Sequence, residues 1–354
     1  MKLARDYAEL PISEVHNRIE TAIDQLGDAV VILGHHYMPA DVIRYAHHRG
    51  DSLGLSRRAA EAKEARYIVF CGVDFMAETA AMLCSPEQRV ILPAGSAPCP
   101  MARMVTVDQA QCAWDALISV WGDDLVPITY QNSTAAMKAF CGQHGGAVCT
   151  SSNAQALMSW GFEKKGHVLF TPDEHLGTNS ALALGVRPSQ IAVWDPKNPP
   201  DDAGVPADAR VVVWKGFCSV HTRFTVGHIA AIRERYPGIS VVVHPECRSE
   251  VVAESDLNGS TAFIVRMVEK ASPGASYAIG TEVNLVNRLA EEHPDMTIVP
   301  LHPSLCAAMS STTPRHLLCV LEELVQGEAV NVVRVDPETS RWANLALEEM
   351  LRIR

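Results

Sequence analysis

The chain has 354 residues, 47% hydrophobic and 20% charged, with a formal net charge of −11. That length suits two or three domains with a sizeable core, and the acidic balance excludes a general nucleic-acid or anionic-membrane surface. No apolar run reaches the roughly 18 residues of a spanning helix, and the N-terminus lacks an apolar signal core, so the expected setting is cytoplasmic, with the ten cysteines reduced. No C-x-x-C occurs, which disfavours a zinc ribbon or thioredoxin-type site.

Ser13 is placed to cap an amphipathic helix ending near Leu26, with Gly27 as its stop. Val30–Leu33 reads as a buried strand followed by Gly34-His35-His36-Tyr37, a helix from about Ala40, a turn at Gly50-Asp51-Ser52 and a helix over Leu53–Ala65. Tyr67–Phe70 is a strand, Phe75–Leu83 a helix, and Val90–Leu92 a strand running into the Cys99 loop. A second block repeats the pattern. Asp108 caps a helix ending near Gly122, and Val126–Thr129 is a strand ending in Tyr130-Gln131-Asn132. A helix from about Thr134, a short strand at Val148 reaching a helix start near Ser152, and strands at Val168–Phe170 and Val211–Trp214 lead to Cys218. Asp195–Asp208, with four prolines and four aspartates, reads as a surface loop.

The third block opens with a helix over Thr225–Tyr236 and a strand, Val241–Val243, ending in His244-Pro245-Glu246-Cys247. Asn258-Gly259-Ser260-Thr261 caps the next helix, Tyr277–Ile279 is a strand, and Thr297–Val299 leads into the Cys306 loop. A helix with Pro314 in its first turn and Gly327 as its stop, then another from about Arg341, form a tail expected to pack on the first block. Strands that alternate with helices and read as unbroken apolar runs predict an α/β fold of parallel sheets covered on both faces. The expected domains are 1–100 with the tail 310–354, then 101–219, then 220–309.

Three constellations follow the strand ends, where open α/β sheets place ligands. Cys99, Cys218 and Cys306 occupy equivalent loops, and three thiolates converging on one centre suit a metal or cluster with one vacant position. Cys84, Cys112, Cys141 and Cys319 fall in helices and read as core, while Cys71, Cys149 and Cys247 are the competing ligand candidates. The second constellation is His35 and Tyr37, Tyr130 and Asn132, His244 and Glu246; a His beside a Glu offers a proton donor and an acceptor near neutral pH. The third is Ser52, Ser151, Ser260 and Thr261 at helix starts, where capping or anion binding would use them. His221, three residues beyond Cys218, reads as structural taken alone and as a substrate contact if Cys218 holds an open metal site. A zinc-dependent hydrolase or aldolase and a non-catalytic Fe–S sensor are the alternatives. The first lacks an H-x-x-H or H-E-x-x-H pattern; the second leaves the strand-end polar residues unexplained.

From about Val30 to Met309 the sequence resembles the quinolinate synthases of de novo NAD biosynthesis, through HHYMPADV, GDSLGLS, FCGVDFMAETA, the PCPMA loop, TYQNSTAAMKA, CTSSNA, PDEHLG, WKGFCSVH, HPEC, NGSTAFI and GTEVNLV. The resemblance implies three homologous three-layer α/β/α domains around a pseudo-threefold axis. It also implies a [4Fe–4S] cluster on Cys99, Cys218 and Cys306, with its open iron acting as a Lewis acid. The implied reaction condenses iminoaspartate with dihydroxyacetone phosphate to quinolinate, losing phosphate and two waters. Carried over by position, His35, Tyr37, Ser52, Tyr130, Asn132, Ser151, His221, His244, Glu246, Ser260 and Thr261 would line the pocket. Tyr37 and Glu246 would transfer protons, with His35 and His244 assisting. His36 departs from the Asn common at that position, and no extra cysteine lies near Cys306. A transient hand-off from L-aspartate oxidase is the expected protein partnership.

Overall fold

The structure is a computed structural model and describes residues 5–199, 205–206 and 208–353. Three parallel sheets organise it. The first contains β1 (Val30–His35), β2 (His48–Gly50), β3 (Tyr67–Cys71) and β4 (Arg89–Ile91), in the order β2-β1-β3-β4. The second contains β5 (Leu125–Tyr130), β6 (Ala147–Cys149), β7 (His167–Thr171), β8 (Ile191–Trp194) and β9 (Val211–Trp214), in the order β6-β5-β7-β9-β8. The third contains β10 (Ser240–Val243), β11 (Leu257–Asn258), β12 (Ser276–Gly280) and β13 (Thr297–Pro300), in the order β11-β10-β12-β13. Every ladder within them is parallel. The central strands β3, β5 and β9 are buried along their whole length, which is why they read as unbroken apolar runs.

In each sheet the first strand lies between the second and the third, so the chain leaves it in opposite directions on either side. The crevice at its C-terminal end is where a doubly wound sheet exposes ligand-binding backbone. His35, Tyr130 and His244 therefore stand at topologically equivalent points: the last residues of β1 and β5, and the residue after β10.

By compactness the chain forms two units, Met1–Cys99 with Leu305–Asp336, and Pro100–Ser304 with Pro337–Arg354. The second and third sheets share the second unit. The tail corrects one expectation: its final helix, Pro337–Arg352, packs not on the first block but on the second-block helix Ala135–Gln143 and on β6. Gly142 makes that contact possible, because a Cβ there would lie 1.9 Å from the Trp342 carbonyl oxygen.

Other boundaries shift for local reasons. Ser13 is not a cap; the helix Ile12–Leu26 starts after Pro11, although Gly27, at φ 48°, does end it. Thr106, not Asp108, caps Val107–Trp121 through a capping box with Gln109. Cys112 lies exposed on that helix rather than in the core. Within Asp195–Asp208, residues 200–204 and 207 lie outside the described residues.

Candidate active site

A buried polar cluster is built on the third sheet. β10 ends in His244-Pro245-Glu246, and burial forces these polar side chains to satisfy one another. Glu246 Oε2 lies 2.7 Å from His221 Nδ1 and 3.1 Å from His244 Nδ1. The two imidazoles stack with centroids 4.2 Å apart and planes 15° from parallel. On their far edges, His221 Nε2 is 3.1 Å from Thr281 Oγ1, just past β12, and His244 Nε2 is 3.2 Å from Ser151 Oγ, just past β6. The Glu246 backbone N–H donates to His244 Nδ1 at 3.3 Å, so that ring is held by its own strand end as well as by the nearby carboxylate.

Burial alone would push the Glu246 carboxyl up, but the flanking His221 and His244 hold it well below the usual carboxylate range. Burial, then the neighbouring His244, pulls His221 down to about 4, so it is a neutral imidazole at physiological pH. Glu246 Oε1 is buried without a hydrogen-bond partner among the described residues. So is Asp173 Oδ2, whose carboxyl is raised well above its ordinary value by burial and by the charge of Glu246. Orphaned oxygens at a buried site are costly unless something else fills them, which marks the place for a ligand.

Cys218 approaches this cluster. Its sulfur and the ligand atoms of His221 and Glu246 all lie within 4.8 Å of one another, a set able to hold a metal. Two features fix the loop. Thr222 N–H and Oγ1 both donate to the Cys218 carbonyl, and Gly216 passes so near the Pro172 carbonyl oxygen that a Cβ would lie 2.2 Å from it.

On the second sheet, Tyr130 and Asn132 occupy the matching strand end. Gln131 N–H donates to the Cys149 carbonyl at 2.7 Å, Ser133 Oγ to the Tyr130 carbonyl at 2.8 Å, and Lys138 Nζ to the Ser133 carbonyl at 2.5 Å. Asn132 Oδ1 is buried with no partner among the described residues. Ser151 does not cap the helix Ala154–Lys164, since Asn153 precedes it; Ser260 does cap Thr261–Glu269 and also accepts from Ser152 Oγ at 2.9 Å. Thr261 is buried as the first residue of that helix.

The first unit holds the remaining residues. His35 Nδ1 accepts from Tyr37 N–H at 3.2 Å, and the two rings meet edge to face at 4.7 Å. Asp51 caps the helix Ser52–Glu61, which relieves the Ser52 hydroxyl of that duty. Asp74 Oδ1 accepts from Ala97 N–H at 2.5 Å, tethering the Cys99 loop to the helix Asp74–Leu83. Cys99, Cys218 and Cys306 are all half-buried and outside any disulfide. Burial pushes the thiol of Cys71 up to about 12 and those of Cys149 and Cys247 well above the ordinary value, which leaves them inert.

Sequence reasoning did not single out Asp173, Thr281 or Lys138. Asp173 carried a weak signal as an Asp ahead of a helix, but nothing in the sequence marks it, or Lys138, as fully buried.

Residues 17–352 match the family described as "Quinolinate synthetase A protein". A protein named Quinolinate synthase from Bacillus anthracis is 46% identical over 352 residues, covering 99% of this chain and 96% of that one. Namesakes from Bacillus cereus and from Bacillus thuringiensis subsp. konkukian match at the same identity and coverage. The chain belongs to the quinolinate synthase family, and its activity is that of a quinolinate synthase.

Proposed function

We propose that the chain condenses iminoaspartate with dihydroxyacetone phosphate to give quinolinate, one phosphate and two waters, and that Cys99, Cys218 and Cys306 hold a [4Fe–4S] cluster. The carrying observation is Glu246: a buried carboxylate oriented by two imidazoles through one oxygen, with the other oxygen left for substrate. Three half-buried loop thiols, each after the last strand that its block adds to the shared strand order, fit an iron–sulfur cluster better than the core-buried Cys71, Cys149 and Cys247. When bound to three thiolates, such a cluster supplies one Lewis-acidic iron without a protein ligand.

The chain's own groups move the protons. Glu246 Oε1 takes a proton from carbon during isomerisation and returns it to the departing hydroxyl, while Oε2 stays beside the His221 and His244 rings. Tyr37, braced edge-on by His35, donates from its phenol. Asn132, Ser52, Ser151, Ser260 and Thr261 hold the carboxylates and phosphate, the anionic groups shared by the two substrates. Iminoaspartate hydrolyses readily as an imine, so direct hand-off from L-aspartate oxidase protects it. Among the described residues no helix is long and apolar enough to cross a membrane.

One geometric observation favours a second reading, a single ion on Cys218, His221 and Glu246. Anaerobic purification with iron and sulfide analysis separates the two. The cluster reading expects four irons and four sulfides per chain, lost in Cys99→Ala, Cys218→Ala and Cys306→Ala and kept in Cys71→Ala, with quinolinate formed from both substrates by the wild type. One zinc per chain, indifferent to Cys99→Ala and Cys306→Ala, would establish the single-ion site instead.

A further inference from the structure

Within the second unit a cleft of about 620 Å³ opens between helices of the second and third blocks. Its lining sets the polar Ser151, Ser152, Asn258 and Ser260 among the apolar Leu176, Val252 and Phe263. Two of these hydroxyls bond each other, Ser152 Oγ donating to Ser260 Oγ at 2.9 Å, and Ser151 Oγ stands 3.2 Å from His244 Nε2. Through Ser151 the lining is one hydrogen bond from the His244–Glu246 cluster. Among all the residues lining this cleft, Arg266 is the one charged side chain. It projects from the helix Thr261–Glu269, is exposed, and has no ion-pair partner among the described residues. By contrast, a cleft of comparable size in the same unit mixes Arg103, Lys197, Lys215 and Arg248 with Glu174 and Asp195.

A net charge of −11 repels small anions at long range, so an enzyme whose substrates are both anionic gains from a local reversal of the field on their approach. An exposed cation with no ion-pair partner among the described residues, in the lining of a cleft whose Ser151 hydrogen-bonds His244, supplies that reversal. We propose that this cleft admits the anionic substrates and that the exposed Arg266 captures their phosphate or carboxylate as they enter. This rests on the reading of the reaction given above. Ser152 and Ser260 then form a hydroxyl threshold that exchanges its mutual hydrogen bond for bonds to the passing anion, at little net cost.

The test compares Arg266→Glu and Arg266→Lys with Lys63→Glu, which makes the same charge change at an exposed position of the first unit. For Arg266→Glu, KM for dihydroxyacetone phosphate should rise about tenfold. Its kcat should stay within about twofold and its iron content should not change. Arg266→Lys should behave nearly as wild type. Raising salt toward 0.15 M, where the screening length is about 8 Å, should narrow the gap in kcat/KM between wild type and Arg266→Glu, because it screens the attraction of the one and the repulsion of the other. Inorganic phosphate, used as a competitor, should inhibit Arg266→Glu more weakly. A KM for Arg266→Glu equal to that of Lys63→Glu overturns the proposal. So does weaker phosphate inhibition with an unchanged KM, since that would describe an anion site off the substrate's path. A wild type that makes no quinolinate fails at the earlier step: the reaction itself is wrong, and the cleft's role falls with it.

Discussion

The second and third sheets have the same order over four strands, yet they place different chemistry at the same point. After β5 the second sheet presents Tyr130 and Asn132, neutral groups held by a turn whose hydrogen bonds close on themselves. After β10 the third presents His244 and Glu246, titratable groups packed within ion-pair distance of each other and of His221. The bracing differs too. The second sheet gains an edge strand, β8, and its β6 side is covered by Pro337–Arg352; the third has neither. The backbone repeat thus decides where a side chain can meet a ligand, and the residue placed there decides what it does. On the proposed mechanism the third block and Tyr37 of the first carry the proton transfers, while the second block supplies neutral contacts.

Glu246→Gln tests that division most severely. The amide keeps the size of the carboxylate but cannot accept a proton, so kcat should fall on the order of 10²- to 10⁴-fold with cluster content retained. Asn132→Ala, at the matching position, should instead raise KM with a change in kcat on the order of tenfold or less, because a neutral contact contributes to binding. Steady-state kinetics on both variants settles the comparison. Equal losses in kcat would erase the distinction between the two strand ends.

A third change addresses the bracing. Gly142→Ala drives a methyl group against the Trp342 carbonyl, where neither backbone can give way without moving the helix. Overpacking of this kind should cost about 2 to 3 kcal/mol in chemical denaturation. Truncation before Pro337 should make the Gly142→Ala penalty vanish, because its target is then gone.

Much of this organisation was legible in the residues, and the gaps have physical reasons. β3, β5 and β9 announce themselves because both faces are covered. β2 and β11, three and two residues long, lie at sheet edges with exposed or half-exposed side chains and carry no apolar pattern. β8 was hidden by its position between a 3₁₀ turn at Pro188–Gln190 and the Pro/Asp-rich loop. The final helix has an amphipathic face, but a face does not name its partner; only Gly142, a glycine inside a helix, hinted at a close approach. The site residue types were visible because they follow strand ends. Their pairing was not. That His221 reaches Glu246 rather than substrate alone depends on a loop crossing from the end of the second sheet, and burial at Lys138 and Asp173 depends on packing that no local pattern encodes.

The smallest effect lies at the edge strand that the third sheet lacks. Just past β8, the Asp195 carboxylate accepts from Lys215 Nζ at 2.7 Å and from Lys197 N–H at 3.0 Å. Lys215, then the Lys197 amide, pull its pKa down to about 2. A carboxyl whose folded pKa is depressed stabilises the fold above its unfolded value, near 4, and loses that contribution as pH falls toward 2. Because the pair is exposed to solvent, its effect is modest and is screened by salt. Asp195→Asn should therefore lower the thermal midpoint slightly at neutral pH and low ionic strength. The gap to wild type should narrow both as salt is added and as pH drops below 4. A gap that persists in high salt would mean that Asp195 holds β8 through its backbone acceptors rather than through charge, and that the second sheet's extra edge is fixed by local turn geometry.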